Sequence, residues 1–421
     1  MKYLVTFARI IVGNLFIFSG VVKANDPLGF SYKLEEYFVE FGMNWEWLHS
    51  ILVPLAAALC IAEIIMGVAV LVGWRMKEIS WSLLLMIGFF TILTGASAIF
   101  EIVRSCGCFG DAIPLTPWQS FYKDLVLLVL ILIIFFKRNV IKPWANNTHL
   151  LGIYLISSVI LFVLGKMLDW DMSVSVLGFL WVAIIVKYIS QKPSLAANVA
   201  IFMSVVYSLY LTIGSTTDLP FKDFRPYAIG KNLPEQMTLS EDAVQPVYDN
   251  ILVYKNKNTG ETKEFTNATY NDSKIWEDKD WEWLSTENEL IVEGDVAAIA
   301  DLTISNPDGE ELTDLILAEE KALWIVCYDM NLTDKENLDA INKLSREALE
   351  KGIKVYGLSS AGVDLSNSLI TEFDLNFDFY VTDGIVLKTM IRSNPGIMYL
   401  ENGTVKGKWH HSNVPAVDDL R

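Results

Sequence analysis

Two cysteines separated by one glycine are the residues best suited to chemistry, in the segment CGCFGD at residues 106–111. Cys106 and Cys108 can close a small disulfide, and such a tight, strained ring exchanges readily with other thiols. Arg104 stands nearby and can favour the thiolate, the form that attacks disulfides, and Asp111 ends the loop. The pattern indicates a redox pair. A static disulfide, two thiols that only pack a re-entrant loop, and a metal site are the alternatives; the last is disfavoured because no histidine completes a tetrahedral spacing.

Two ionisable residues lie deep inside apolar stretches, Arg9 in the first and Glu63 in the second. An unpaired charge inside a membrane is costly, so we predict an Arg9–Glu63 ion pair inside the bundle. A proton relay or a quinone contact is the functional alternative. We predict that Lys23, at the edge of the first stretch, is an interfacial anchor, and that Cys60, one turn from Glu63, is a small packing residue.

Apolar stretches in the first half must position these residues. They cover residues 4–22, 51–72, 79–99, 121–136, 150–164, 172–189 and 195–213. A membrane helix needs about 20 apolar residues, a length that the fourth, fifth and sixth stretches do not reach. The pattern predicts a multi-pass, all-α bundle of about seven helices in the lipid bilayer, with domain boundaries at 1–145 for a four-helix unit and 146–215 for three further helices.

Lys and Arg in the short loops predict the orientation of these helices. One end of the bundle carries Lys2, Arg75, Lys77, Lys137, Arg138, Lys142, Lys187 and Lys192. We therefore expect an inner (cytoplasmic) membrane protein of a bacterium, with a cytoplasmic N-terminus and a periplasmic C-terminal domain. Four crossings separate the cysteine loop from the C-terminal half, so both should face one compartment whatever the orientation.

The acidity belongs to the second half of the chain. The net charge of the 421 residues is −17, yet residues 1–215 hold 14 Lys and Arg against 12 Asp and Glu. An acidic second half favours solubility and argues against nucleic-acid binding, which needs cations to neutralise phosphates. We divide it into an extracytoplasmic linker with β-structure at 216–295 and a final domain at 296–421.

The final domain shows a β/α pattern. Residues 322–328 form a continuous apolar run, typical of a strand that is buried on both faces. An amphipathic helix is predicted at 333–351 and a second strand at 354–359. Asn402-Gly403 favours a tight hairpin between residues 396–400 and 404–409, and a further hairpin is predicted from 250–254 to 262–265.

The first four spans resemble the DoxX superfamily, and the CGCFG loop resembles its MauE branch. The matching residues are Arg9, Gly13, Ser19, Gly20, Lys23, Asp26 and Pro27 in the first span, and Glu63, Gly67 and Gly73 in the second. The resemblance covers roughly residues 1–140, and the whole architecture resembles a DoxX subfamily of Bacteroidetes. It implies a four-helix core and membrane redox chemistry, with quinone as an acceptor and, in the MauE group, assistance to disulfide-dependent maturation of a periplasmic enzyme.

The final domain resembles a thioredoxin or TlpA-type domain. Pro395, before the strand at 396–400, matches the cis-proline of that fold. The sequence departs from the family at residues 329–332, where a CxxC motif should follow the first central strand and no cysteine is found. Cys327 lies inside that strand and is predicted to be core, so the resemblance implies a docking module without its own dithiol. We predict that His410 and His411 are a solvent-exposed pair.

Two functions remain open at this stage. In the first, Cys106 and Cys108 make the protein a thiol-disulfide oxidoreductase component that exchanges electrons with a periplasmic thiol protein or redox partner, while the final domain recruits that partner. In the second, the helices are a non-enzymatic anchor or assembly scaffold for a periplasmic protein-binding domain. A transporter is disfavoured because the spans hold few polar groups that could line a path.

Overall fold

The computed structural model describes residues 2–43, 45–100, 107–144, 146–170, 172–240, 242–245, 247–292 and 294–420. The first half consists of helices α1 Lys2–Asn25, α2 Pro27–Glu40, α3 Glu46–Val72, α4 Met76–Phe100, α5 Pro117–Lys137, α6 Asn147–Met167, α7 Met172–Ser190 and α8 Pro193–Thr217. Six of them, all but α2 and α7, are long and apolar enough to cross a membrane. This confirms a multi-pass membrane protein. The sixth predicted stretch forms α7, whose apolar part Gly178–Ser190 is shorter than the other six.

Glycines set the packing of α1 against α3. A side chain at Gly13 would lie 2.6 Å from Leu71, and one at Gly20 would lie 2.9 Å from the backbone nitrogen of Ile64. Small residues let two membrane helices approach this closely, because no Cβ holds the backbones apart. These contacts set the register of the two helices, and the register decides which of their charged residues can meet.

Helix α2 is an amphipathic element that the sequence analysis did not predict. Asp26 caps its first turn, accepting a hydrogen bond from the Gly29 nitrogen at 2.8 Å, and Pro27 occupies the first helical position. Phe30, Leu34 and Tyr37 are buried along one face and hold α2 against the bundle. The cap places the Asp26 carboxylate at the end of the bundle where the cysteine loop lies.

After the helices, a three-stranded antiparallel sheet has the order β2-β1-β3. Its strands are β1 Val247–Asn256, β2 Thr262–Phe265 and β3 Trp281–Val292. The predicted hairpin is confirmed, since Leu252 pairs with Phe265 and Lys255 with Thr262. Two short helices accompany this part of the chain, α9 Leu233–Gln236 before the sheet and α10 Asn267–Ser273 between β2 and β3.

A mixed five-stranded sheet of order β6-β5-β4-β7-β8 forms the final α/β domain. Its elements are α11 Thr313–Leu317, β4 Ala322–Cys327, α12 Leu338–Glu350, β5 Lys354–Ser359, α13 Val363–Phe373, β6 Phe379–Val381, α14 Gly384–Met390, β7 Gly396–Glu401 and β8 Thr404–His410. Strands β4, β5 and β6 are parallel, and β7 pairs antiparallel with β4 on one side and with β8 on the other. Every residue of β4 is buried, as its continuous apolar run predicted.

The first part of the segment expected to be a linker, residues 219–237, belongs to the core of this domain. Tyr227 and Leu233 are buried in one cluster with Trp324 of the central strand. The backbone nitrogen of Gly230 donates to the carbonyl of Val405 in β8 at 2.7 Å. Residues 219–237 therefore cover one face and one edge of the sheet and connect it directly to the end of α8.

Candidate functional site

The cysteine loop is described from Gly107 onward, so Cys106 and Arg104 lie outside the described residues. Cys108 is buried in the connection between α4 and α5. Its backbone carbonyl lies 3.1 Å from the hydroxyl of Ser19 in α1, which can donate to it. The Phe109 ring packs on that of Phe18, with centroids 5.6 Å apart. The described part of the loop folds inward on α1, and the redox pairing of Cys106 with Cys108 stays a prediction.

Among the described residues, Lys123 of α5 is a cation that lies beside the cysteine loop. It lines one small cavity together with Cys108 and interacts with it electrostatically, and its Nζ lies 3.0 Å from Oδ1 of the buried Asp124. Thr94 donates to Oδ2 of Asp124 at 3.2 Å. A neighbouring ammonium favours the thiolate of a cysteine over the thiol. Lys123 was not predicted as a site residue, although a Lys-Asp pair at the start of an apolar helix is a signal that the sequence carries.

Lys23 and Glu63 form a buried ion pair between α1 and α3. Each residue is about 3% exposed. The Ser19 hydroxyl lies 2.9 Å from Oε2 of Glu63, and the Lys23 ammonium lies 4.8 Å from the centroid of the Phe90 ring. Removing either partner would leave a buried charge without compensation, so the two charges depend on each other.

The predicted Arg9–Glu63 ion pair is wrong, and so is the prediction that Lys23 is an interfacial anchor. Arg9 instead donates from Nε to the carbonyl of Val70 at 2.9 Å and from Nη2 to that of Leu71 at 3.0 Å. The glycine contacts between α1 and α3 explain the error. They place Glu63 beside Gly20 in the last third of α1, and Arg9 lies eleven residues before Gly20, about 16 Å away along that helix at a rise of about 1.5 Å per residue.

A cavity of about 40 Å³ lies between the two ion pairs. Lys23, Glu63, Cys108, Lys123 and Asp124 are among the residues that line it. A buried water needs a space of roughly 10–15 Å³ with polar partners, so the cavity can hold a very small number of water molecules. The arrangement places a thiol, two ammonium groups and two carboxylates around one small cavity that apolar side chains otherwise line, and a proton can be held or moved there beside the sulfur.

The α/β domain contacts the bundle at this same end, through Arg392. Its Nε lies 2.9 Å from Asp26 Oδ2, and its Nη2 lies 3.4 Å from Asp111 Oδ2. Burial by itself would lower the pKa of Arg392, but the two carboxylates outweigh burial and raise that pKa above its usual value. Tyr328 of the domain also lies beside Tyr32 of α2 and interacts with it electrostatically. Because Asp111 belongs to the cysteine loop, the domain and the loop lie at one end of the bundle.

Arg392 begins the segment that leads into β7, and the Asn394–Pro395 peptide bond in that segment is cis. The Asn394 amide donates to the carbonyl of Asp329 at 2.6 Å, which ties the segment to the loop after β4. Burial raises the pKa of the Cys327 thiol in β4 to about 12, so this thiol stays protonated at neutral pH. The contribution of the domain to the site is therefore Arg392 rather than a thiol.

A second cavity, of about 460 Å³, separates the bundle from the α/β domain. Its lining includes Lys23, Gly107, Asp111, Lys222 and Arg392. Lys23 lines both this cavity and the smaller one, so the Lys23–Glu63 pair stands at the boundary between them. Sites for small molecules have volumes of about 300–1,000 Å³, and this cavity falls within that range.

The α/β domain holds a second buried charge cluster, which the sequence analysis missed. Asp223 Oδ1 lies 2.7 Å from Arg225 Nε, and Asp223 Oδ2 lies 2.6 Å from Lys408 Nζ. Burial alone would raise the pKa of Asp223, but its two cations lower that pKa well below the usual range. Burial and the nearby Arg225 lower the pKa of Lys408 to about 7. One carboxylate shared by two buried cations ties the segment after α8 to β8.

The two adjacent histidines do not form the exposed pair that was predicted. His410 is buried at the end of β8, and its ring centroid lies 4.1 Å from that of His411. Burial lowers the pKa of His410. Within the described ranges, no group of three His, Cys, Asp or Glu side chains is placed to hold a metal ion.

Comparison with known proteins links the bundle to one family. Residues 1–137 match the family described as methylamine utilisation protein MauE. The chain is also 28% identical over 182 residues to Protein TlpB of Flavobacterium psychrophilum, a match that covers 39% of this chain and 45% of that protein. The chain thus spans less than half the length of this relative. No solved structure matches. The likeness to MauE covers α1 to α5, the helices that surround Cys108.

Proposed function

We propose that this protein is a membrane thiol-disulfide redox component of the DoxX type, in which Cys106 and Cys108 form the exchanging pair. The observation that carries the proposal is the position of the Lys123 ammonium beside the Cys108 side chain, at a cavity that both residues line together with the Lys23–Glu63 pair. A cysteine that only packs a loop needs no cation at its sulfur. The match of residues 1–137 to MauE supports the same proposal for the bundle.

In the proposed step, the Cys106 thiolate attacks a disulfide of a partner protein. The partner's S–S bond breaks as a mixed disulfide forms, and the Cys108 thiolate then attacks the Cys106 sulfur and releases the partner. The partner leaves as a dithiol and the pair as a disulfide, so two electrons and two protons pass from the two cysteines to the partner. Lys123 stabilises the Cys108 thiolate that makes the second attack.

The cavity of about 40 Å³ that Cys108 lines has room for water and not for the substituted ring of the quinone that the DoxX resemblance implies, within the described part of the loop. No step is therefore routed through quinone, and the proposal is confined to exchange with a dithiol protein.

The final domain is, in this proposal, a thioredoxin-like docking module, which is supported by its sheet order β6-β5-β4-β7-β8. Arg392 holds it over the cysteine loop through Asp26 and Asp111, so a partner would reach Cys108 at the seam between domain and bundle. The basic loops at the opposite end of the helices support a cytoplasmic N-terminus and a periplasmic domain in the inner membrane.

The redox proposal is tested by trapping the thiols of growing cells with an alkylating reagent. We expect a mixture of oxidised and reduced Cys106/Cys108, and we expect Cys108→Ser to accumulate a mixed disulfide between Cys106 and another envelope protein. Cys60→Ser is the matched control, because Cys60 is buried in the core of the same bundle. A membrane-impermeant reagent that labels the loop from outside would support the proposed orientation.

The scaffold function is the second candidate, and the large aromatic and aliphatic side chains on the three-stranded sheet favour it. Tyr248, Trp283 and Leu284 are all more than half exposed, as a protein-docking surface requires. If the cysteine pair is always oxidised and Cys106→Ser changes only protein stability, the scaffold function replaces the redox one.

A further inference from the structure

A third cavity, of about 550 Å³, opens at the end of the bundle opposite the cysteine loop. It lies between the first turns of α1, the end of α5 and the connection to α6. Arg9, Lys137, Lys142, Trp144 and His149 are among the residues that line it. It shares no residue with the candidate redox site, so its function can be argued independently of the redox proposal.

The ionisable residues that line this cavity are all basic. Three of its lining residues are Lys or Arg and one is His, and the lining holds no Asp or Glu among the described residues. The sequence explains the imbalance, since residues 1–25 and 125–168 contain no acidic residue at all. Arg9 is only 4% exposed, and in the described part of the chain no carboxylate forms an ion pair with it.

Arg9 is held in place without being neutralised. Its two bonds go to the carbonyls of Val70 and Leu71, and its guanidinium lies 4.2 Å from the centroid of the Trp144 ring. The Trp144 indole also donates to the Leu71 carbonyl, at 2.9 Å. A helix C-terminus supplies only about half a negative charge. A buried guanidinium fixed in this way, with two lysines at the same cavity, is arranged to receive an external anion.

The surface beside the cavity is apolar and belongs to membrane-spanning helices. Phe7 of α1 is 54% exposed, and Phe136 of α5 and Val140 after it are each 73% exposed. We propose that the cavity binds the phosphate of an anionic phospholipid headgroup, whose acyl chains lie along α1 and α5. Arg and Lys form strong charge-assisted hydrogen bonds with phosphate, and basic pockets between membrane helices suit such headgroups.

The test measures lipid binding to the full-length chain in neutral detergent by native mass spectrometry, with phosphatidylglycerol and phosphatidylcholine as probes. We expect the protein to prefer phosphatidylglycerol, and we expect Lys137→Gln and Lys142→Gln each to lower its affinity for this lipid about fivefold. Arg138→Gln is the matched control. It removes the same charge at the same end, but Arg138 donates to the Phe135 carbonyl at 2.7 Å and does not line the cavity.

Arg9→Gln should abolish the preference, whereas Arg9→Lys should retain part of it, and the lysine variants keep the test decisive if Arg9→Gln does not fold. Equal binding of the two lipids by the native chain, or an equal loss in Arg138→Gln, would overturn the proposal. Inorganic phosphate alone is the third probe. If it raises the unfolding temperature as much as phosphatidylglycerol does, the site takes free phosphate and the lipid assignment is wrong.

Discussion

Arg392 in the α/β domain lies 2.9 Å from Asp26 at the end of the first membrane helix, although 366 residues separate them in the chain. The same guanidinium reaches Asp111 in the cysteine loop. One buried side chain thus connects the α/β domain, the cap of α2 and the loop that carries Cys108. Replacing it should separate the domain from the loop without disturbing either core.

Arg392→Gln should make Cys108 more accessible. Without the guanidinium, Asp26 and Asp111 lose their shared counter-ion and repel each other across the seam. We expect alkylation of Cys108 in folded protein to become several-fold faster, measured by mass spectrometry of the peptide that contains it. Arg346→Gln, on the exposed face of α12, is the control and should leave the rate unchanged. An unchanged rate in Arg392→Gln would show that the ion pairs do not hold the domain over the loop.

Lys123→Met should lower the reactivity of Cys108 at neutral pH. The ammonium stabilises the thiolate, and a loss of one pKa unit of stabilisation reduces the thiolate fraction about tenfold. The measurement is the rate of iodoacetamide labelling in a Cys106→Ser background, followed as a function of pH. Lys33→Gln is the matched control, because Lys33 contacts Gly107 of the same loop and pairs with Glu36. Equal slowing in both variants would contradict a specific contact at the sulfur.

Glu63→Leu should destabilise the bundle strongly, and Lys23→Met should restore most of the loss. Removing one partner of a buried ion pair costs about 3–5 kcal/mol, because the other charge stays buried and uncompensated. Replacing both by apolar residues of similar volume is often neutral. Thermal unfolding of the single variants and the double variant in detergent measures the effect. If the double variant is as unstable as the sum of the single ones, the two side chains do not depend on each other.

Lys408→Met should remove an alkaline rise in the stability of the protein. The pKa of Lys408 is about 7 in the folded domain and near 10.4 when unfolded, so between these values the unfolded chain binds more protons. Lys408 therefore makes the free energy of unfolding increase as the pH rises from 7 towards 10. Below pH 7 the lysine is protonated in both states, and its destabilising effect on the folded domain is then complete. Chemical denaturation across this pH range measures the slope. Lys406→Met is the control, since Lys406 is partly exposed on the same strand.

Local patterns determined the helices and the central strand. The apolar stretches predicted the helices of the bundle because a membrane segment must satisfy its own backbone hydrogen bonds, whatever its neighbours are. The continuous apolar run at residues 322–328 predicted β4, because a strand covered on both faces needs no polar alternation. Helix α2 escaped prediction, since its apolar face is narrow and its sequence is rich in charged residues.

The tertiary structure alone decided which charges meet. Arg9 and Glu63 both lie deep in apolar stretches, and the sequence therefore predicted that they pair. The contacts of Gly13 and Gly20 with α3 set a different register, in which Glu63 forms its ion pair with Lys23. Likewise, nothing near Arg392 in the chain indicates Asp26. The reason is physical: periodicity and composition report how each segment is buried, whereas the pairing of buried charges depends on a few ångströms of relative position between segments that are distant in sequence.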